Sequence, residues 1–291
     1  MNHHEPVKLS LHAMATRFEL VLYGAEPDRL HAAGDEALAE IESLDRQLSL
    51  YRPESDISWI NANAAREPVK VEPRLFELLE TAALISRTTG GAFDVTIAPL
   101  VRAWGFAGSS GAMADQERVD AARKVVGMEH VLFDKENFSI RFDRPGVEID
   151  LGAIGKGYAI DRAVDLLREC GVTSALIHGG TSTIYAVGAP AEGDKWRVGV
   201  GESEIVELQD SSLSVSAVHG KSFTVEGREY GHVIDPGSGE PVCCAALAAV
   251  WGPSAMVTDA LSTALLVLGE PGLGMLRMEW PVYHGMVMPS A

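Results

Sequence analysis

The sequence predicts an α+β fold, a single domain over residues 1–291 in which mixed and antiparallel sheets are covered by helices. Three observations predict it. Alternating apolar and polar residues open the chain as a hairpin, amphipathic helical spacing dominates the next stretch, and beyond Gly171 the chain turns strand-rich. Gly-containing turns separate those strands where a regular βαβ repeat would place helices, so neither a Rossmann fold nor a barrel is favoured.

The elements follow in order. Residues 9–12 and 18–22 alternate around a turn and predict two paired strands. Leu30, Ala33, Ala37, Leu38, Ile41, Leu44 and Leu48 recur at helical spacing after Pro27, and residues 73–87 repeat the pattern until Gly90-Gly91 stops it. Residues 114–126 predict a third helix, and residues 130–134 and 138–142 a second hairpin around Lys135-Glu136-Asn137. An apolar strand over residues 147–151 then feeds a glycine turn and a helix over residues 158–170, with Ile160, Ala163, Val164 and Leu167 inward. Strands are expected at residues 174–177, 183–187, 196–200, 213–216, 222–225, 232–234 and 242–251, and a last helix after Ser254.

Composition bounds the function. The 291 residues are 46% hydrophobic, ample for a sizeable core, and no linker or low-complexity tract divides them. A net charge of −17 opposes general binding to a nucleic acid backbone, although a local basic pocket is compatible with it. Cys170, Cys243 and Cys244 offer neither a disulfide framework nor metal-binding spacing and read as buried small hydrophobes. The start, Met1-Asn2-His3-His4-Glu5-Pro6, has no basic stretch and no apolar core, and no apolar run approaches the roughly 18 residues of a membrane span. The expected location is the reducing cytoplasm.

Chemistry is suggested in a few places. Asp150-Leu151-Gly152-Ala153-Ile154-Gly155-Lys156-Gly157-Tyr158 places glycines and a lysine where a helix starts. Unpaired N–H groups and the positive end of the helix dipole make such a junction an anion site, and Lys156 adds a full charge; the plainer reading is a connection. The junction has neither the P-loop spacing nor the dinucleotide fingerprint. In Thr258-Asp259-Ala260-Leu261-Ser262-Thr263 the carboxylate of Asp259 and the hydroxyl of Thr263 lie one helical turn apart, hard oxygens suited to Mg²⁺ or a solvated polar edge. Asp94, in an apolar run after Gly90-Gly91, reads equally as a turn residue or a ligand contact. His232 reads as a general base or as a structural histidine, and His178-Gly179-Gly180 and His219-Gly220 suit close backbone approach to a ligand or, the favoured reading, are turns.

Six ordered blocks resemble the ApbE-type flavin transferases, also called FAD:protein FMN transferases. They are Met14-Ala15-Thr16, Tyr51-Arg52-Pro53-Glu54-Ser55-Asp56-Ile57-Ser58, Gly91-Ala92-Phe93-Asp94-Val95-Thr96, the junction from Asp150 to Tyr158, His232-Val233-Ile234-Asp235-Pro236, and Thr258-Asp259-Ala260-Leu261-Ser262-Thr263-Ala264. The resemblance implies Mg²⁺ held by Asp259, Thr263 and the main-chain oxygen of Ala153. It implies FAD, as substrate, against Met14, Tyr51, Ala92, Phe93, Asp94, Asp150, Lys156, Val233 and Ile234, with His232 and Lys156 catalytic.

The implied reaction transfers FMN from FAD to a threonine hydroxyl of an acceptor flavoprotein, a post-translational flavinylation that releases AMP. Alternatives are an FAD pyrophosphatase, with water as the attacking group, and a noncatalytic FAD-binding or storage protein. Two departures stand out. Family members commonly carry Gly where this chain has Ala15, and Ser-Gly where it has Ser216-Ala217-Val218-His219-Gly220. Many are exported lipoproteins, which contrasts with the leaderless start and points to a cytoplasmic or cytoplasm-facing acceptor, or to a longer natural N-terminus.

Overall fold

A computed structural model describes residues 5–107, 111–202, 204–218, 222–225, 228–242 and 245–289. β1 (Val7–Ala13) and β2 (Thr16–Leu22) form the expected hairpin, with Ala13 opposite Thr16 across a turn of Met14 and Ala15. Both turn residues have positive φ, 50° and 57°, which lets a two-residue turn follow the twist of its strands. α1 (Pro27–Leu48) starts on a proline whose missing N–H is no loss in a first turn. Its buried face carries Ala33, Ala37, Leu38, Ile41, Leu44 and Leu48, residues of the predicted periodic set.

The first half continues with α2 (Asp56–Asn63), β3 (Val69–Lys70), α3 (Pro73–Thr88), α4 (Ala98–Ala103), α5 (Gln116–Arg123), β4 (Val131–Asp134) and β5 (Ser139–Phe142). The second half holds α6 (Gly155–Glu169), β6 (Ala175–Gly179), β7 (Thr183–Val187), β8 (Trp196–Val200), β9 (Glu204–Leu208), β10 (Ser211–Ala217), β11 (Ser222–Val225), β12 (Arg228–Gly231), β13 (Ala245–Gly252), α7 (Ala255–Leu268), α8 (Gly272–Glu279) and β14 (His284–Pro289).

A seven-stranded sheet in the order β1-β2-β6-β7-β10-β13-β14 organises the chain, and every neighbouring pair is antiparallel. α1, α6 and α7 cover one face. Because side chains alternate along a strand, β10 serves two layers: Ser212 and Ser214 meet Thr258 of α7, while Leu213 packs with Trp196, Val206 and Leu208 of the β8–β9 hairpin. α7 is the most enclosed helix, with Leu261 and Leu265 fully buried, each stabilising the fold by roughly 1.5–3 kcal/mol relative to exposure. The architecture is α+β, and no helix among the described residues is long and apolar enough to cross a membrane.

Several expected elements differ. Residues 147–151 form no strand: a side-chain amide, Asn61, takes both backbone groups of Ile149, and the Asp150 N–H goes to the Val95 carbonyl. α6 begins three residues earlier than expected, which puts Lys156 inside its first turn. α5 is shorter than residues 114–126 because Asp115 caps it, accepting from the Glu117 N–H at 3.1 Å. Instead of a strand at residues 232–234 there is β12, ending at Gly231, and a single bridge between Ile234 and Pro241; the Asp235 turn ends the pairing. α2, α4, α8, β3, β9 and β14 are too short or too weakly patterned to have been expected. Cys170 is exposed rather than buried, and Cys243, Cys244, His219 and Gly220 lie outside the described residues.

Candidate active site

The site forms where the start of α6 meets the middle of α7. Asp161, on α6, accepts from the Ser254 hydroxyl at 2.6 Å and from the Ala255 and Met256 N–H groups at 2.7 and 2.9 Å, so one carboxylate caps the first turn of the neighbouring helix. Burial pushes Asp161 above the usual carboxylate range, and these three donors oppose that shift. One turn earlier, Gly157 lies directly against α7. A Cβ at this position would sit 2.2 Å from the Ala255 carbonyl, so only glycine permits the approach.

That approach brings Asp259 to the helix start. Its Oδ2 accepts the Gly157 N–H at 3.1 Å and lies 3.7 Å from Lys156 Nζ; its Oδ1 accepts the Thr183 hydroxyl at 3.1 Å. Lys156 Nζ also donates to the Gly152 carbonyl at 3.2 Å. In a continuous helical ladder the Gly157 N–H would return to the carbonyl of Ala153, four residues back. Here it is diverted to Asp259, and among the described residues no donor reaches the Ala153 carbonyl. One helical turn along, the Thr263 hydroxyl donates to the Asp259 carbonyl at 3.4 Å and lies 3.2 Å from the Ser216 hydroxyl.

Asp259 is only 4% exposed, so it is no solvated polar edge. No cluster of three or more His, Cys, Asp and Glu residues is gathered among the described residues. One buried carboxylate, one hydroxyl and one free carbonyl make a different donor set, and its hard oxygens fit a small divalent cation that keeps waters and phosphate oxygens as its other ligands.

A groove of about 510 Å³ is lined by Leu50, Tyr51, Ser58, Asn61, Arg102 and Glu148 among others. Arg102 forks onto both oxygens of Glu148. Partial burial, then the charge of Asp150, raises the Tyr51 phenol above its usual value. Asp150 accepts the Gly152 N–H at 2.8 Å in the turn that leads into α6. Asp45 joins the opening hairpin to this region: it accepts the Met14 N–H at 2.8 Å and Arg52 at 2.9 Å.

Other expected site residues sit differently. Asp94 is buried, and its two oxygens take four donors, from the backbone and hydroxyl of Thr96, the Ser86 hydroxyl and the Met128 N–H. Its carboxylate shapes the turn, and burial raises its pKa against those bonds. The side chains of Ala92 and Phe93 lie in the core and that of Ile234 packs with Trp104 and Val119, so none of the three presents its side chain to a ligand. Val233 is half-buried and His232 exposed, immediately after β12. His178 bonds to the Gly180 carbonyl and Glu19, in keeping with the turn reading. Thr183, Asp161, Asn61, Arg102 and Glu148 had no recognisable local pattern; only the folded chain brings them to the site.

Residues 14–283 match the ApbE family. The FAD:protein FMN transferase of Vibrio cholerae is 30% identical over 241 residues, 79% of this chain and 71% of that protein. The Escherichia coli K12 protein of the same name is 26% identical over 280 residues, 91% of this chain and 80% of its own. Among solved structures, the ApbE protein of Thermotoga maritima superposes with a TM-score of 0.89 at 25% identity, covering 98% of this chain and 94% of that one. The apo flavinyl transferase ApbE of Pseudomonas stutzeri gives 0.85 at 28% identity, covering 99% and 96%.

Proposed function

The chain belongs to the ApbE family, and from that membership we propose that it is an FAD:protein FMN transferase acting on a threonine hydroxyl of an acceptor flavoprotein. The observation that carries the reading is the Gly157 N–H, which ties Asp259 to the start of α6 while no donor among the described residues reaches the Ala153 carbonyl. Asp259, Thr263 and Ala153 would hold Mg²⁺, which when bound would neutralise charge on the diphosphate of FAD. Lys156 and the N-terminus of α6 bind the same diphosphate. The flavin nucleotide runs from there past Asp150 toward Tyr51, with Met14 and Val233 on its borders.

In the reaction the acceptor oxygen forms a bond to the FMN-side phosphorus while the bond from that phosphorus to the AMP oxygen breaks. The hydroxyl proton passes to His232, and AMP leaves as the anion. Little covalent chemistry is asked of the protein, so positioning and charge neutralisation carry the rate.

The test is incubation with FAD and Mg²⁺, followed by chromatography for AMP and by mass spectrometry of an added acceptor flavoprotein. Acceptor threonine carrying FMN, with AMP released, is the expected result. Free FMN beside an unmodified acceptor would make the protein a pyrophosphatase, and FAD bound without any AMP would make it a binding protein.

A further inference from the structure

α7 meets the sheet through a polar seam. On β10, Ser212 and Ser214 lie 3.0 and 2.9 Å from the Thr258 hydroxyl, and Ser216 lies 2.8 Å from that of Ser262. Beside this seam, Thr183 of β7 gives its hydroxyl to Asp259. β7 is the middle strand of seven and Thr183 is fully buried, a position that a purely apolar β-branched residue would fill without the cost of desolvating a hydroxyl. Among the described residues, the hydroxyl's partner is Asp259 Oδ1. The opposite oxygen, Oδ2, is held by Gly157 from α6. Donors on two rigid elements thus grip the carboxylate from both ends, each oxygen keeping lone-pair capacity for a further ligand.

We propose that Thr183 is a positioning residue for the divalent-cation site, locking the Asp259 carboxylate in the orientation in which it serves as a ligand; this rests on the magnesium reading above. Residues that orient a ligand without touching the ion commonly set its affinity by about 10–100-fold, because the unliganded site must otherwise order itself at the moment of binding. Thr183 therefore acts on affinity for the ion before FAD is present.

The test titrates wild-type protein, Thr183→Val, Thr183→Ser and Asp259→Asn with Mn²⁺ alone, reading free Mn²⁺ by its EPR signal and folding by circular dichroism. Thr183→Val is expected to keep the fold and weaken Mn²⁺ by about tenfold or more, while Thr183→Ser stays near wild type. Thr183→Ala carries the same test should the valine variant not fold. Wild-type affinity in Thr183→Val, or an equal loss in Thr183→Ser, overturns the role of the hydroxyl while the metal reading stands on the loss in Asp259→Asn. Undiminished binding in Asp259→Asn, or no binding by wild type, overturns the metal reading itself.

Discussion

The Gly157 N–H donates to Asp259 Oδ2 at 3.1 Å across 102 residues of chain, and the contact exists because residue 157 has no side chain. A methyl group there would stand 2.2 Å from the Ala255 carbonyl and 2.7 Å from the Met256 Cα, both backbone atoms that cannot swing aside. Gly157→Ala must therefore push α6 and α7 apart. We expect it to cost about 1–3 kcal/mol in urea unfolding, an overpacking penalty, and to lose turnover out of proportion as Asp259 leaves the helix start. Unfolding and AMP release measured on the same preparation check both halves.

Removing Asp259 has two separable effects. Alanine would orphan the Gly157 N–H and leave the buried Thr183 hydroxyl without its acceptor, at about 1–3 kcal/mol for each unsatisfied group. Asparagine keeps both partners, since its amide oxygen can accept from Gly157 and its NH₂ can donate to the rotatable Thr183 hydroxyl. Asp259→Asn is expected to unfold close to wild type yet lose about a hundredfold or more in turnover, because the negative charge proposed to hold the cation is gone. Near-normal turnover in this variant would reject the metal assignment.

The helix that carries Asp259 and Thr263 was legible in the sequence because its signals are local: Ser254 caps it, and Val257, Ala260, Leu261, Ala264 and Leu265 mark its buried face. α1 and the opening hairpin were legible for the same reason. Thr183 and Asp161 were not, because their partners lie 76 and 93 to 95 residues away and an isolated Thr or Asp carries no pattern. The expected strand at residues 147–151 failed in the opposite sense. Its apolar alternation is real and Val147, Ile149 and Leu151 are buried, but Asn61 rather than a neighbouring strand satisfies the backbone of Ile149. Periodicity reports which side chains are buried, and the identity of the backbone partner is a tertiary fact.

The hairpin turn places Ala15 at a conformationally strained position. Ala15 adopts φ 57°, a left-handed conformation that crowds the Cβ of any L-residue by roughly 1–2 kcal/mol and that glycine adopts freely. Ala15→Gly relieves this strain while making the unfolded chain more flexible. The net expectation is a gain of about 0.5–1 kcal/mol, read as a higher urea midpoint with an unchanged slope. A lower midpoint would show that the turn tolerates its Cβ.

Alkaline pH should weaken the junction that sets the two helices. Burial pushes the Tyr283 phenol up to about 12 from an ordinary value of 10.0, with the charge of Asp161 adding to the shift and hydrogen bonds to Ser254, the N-cap of α7, opposing it. Between these two values the unfolded chain has released the phenolic proton while the folded protein still holds it, so stability falls as pH rises. The contribution is whole below pH 10.0 and is lost progressively toward about 12. Tyr283→Phe has no proton to lose, so its stability should decline less over that window. The check is the difference in urea midpoint between wild type and Tyr283→Phe at several pH values; a difference that stays constant through the window would show that Tyr283 titrates alike in both states.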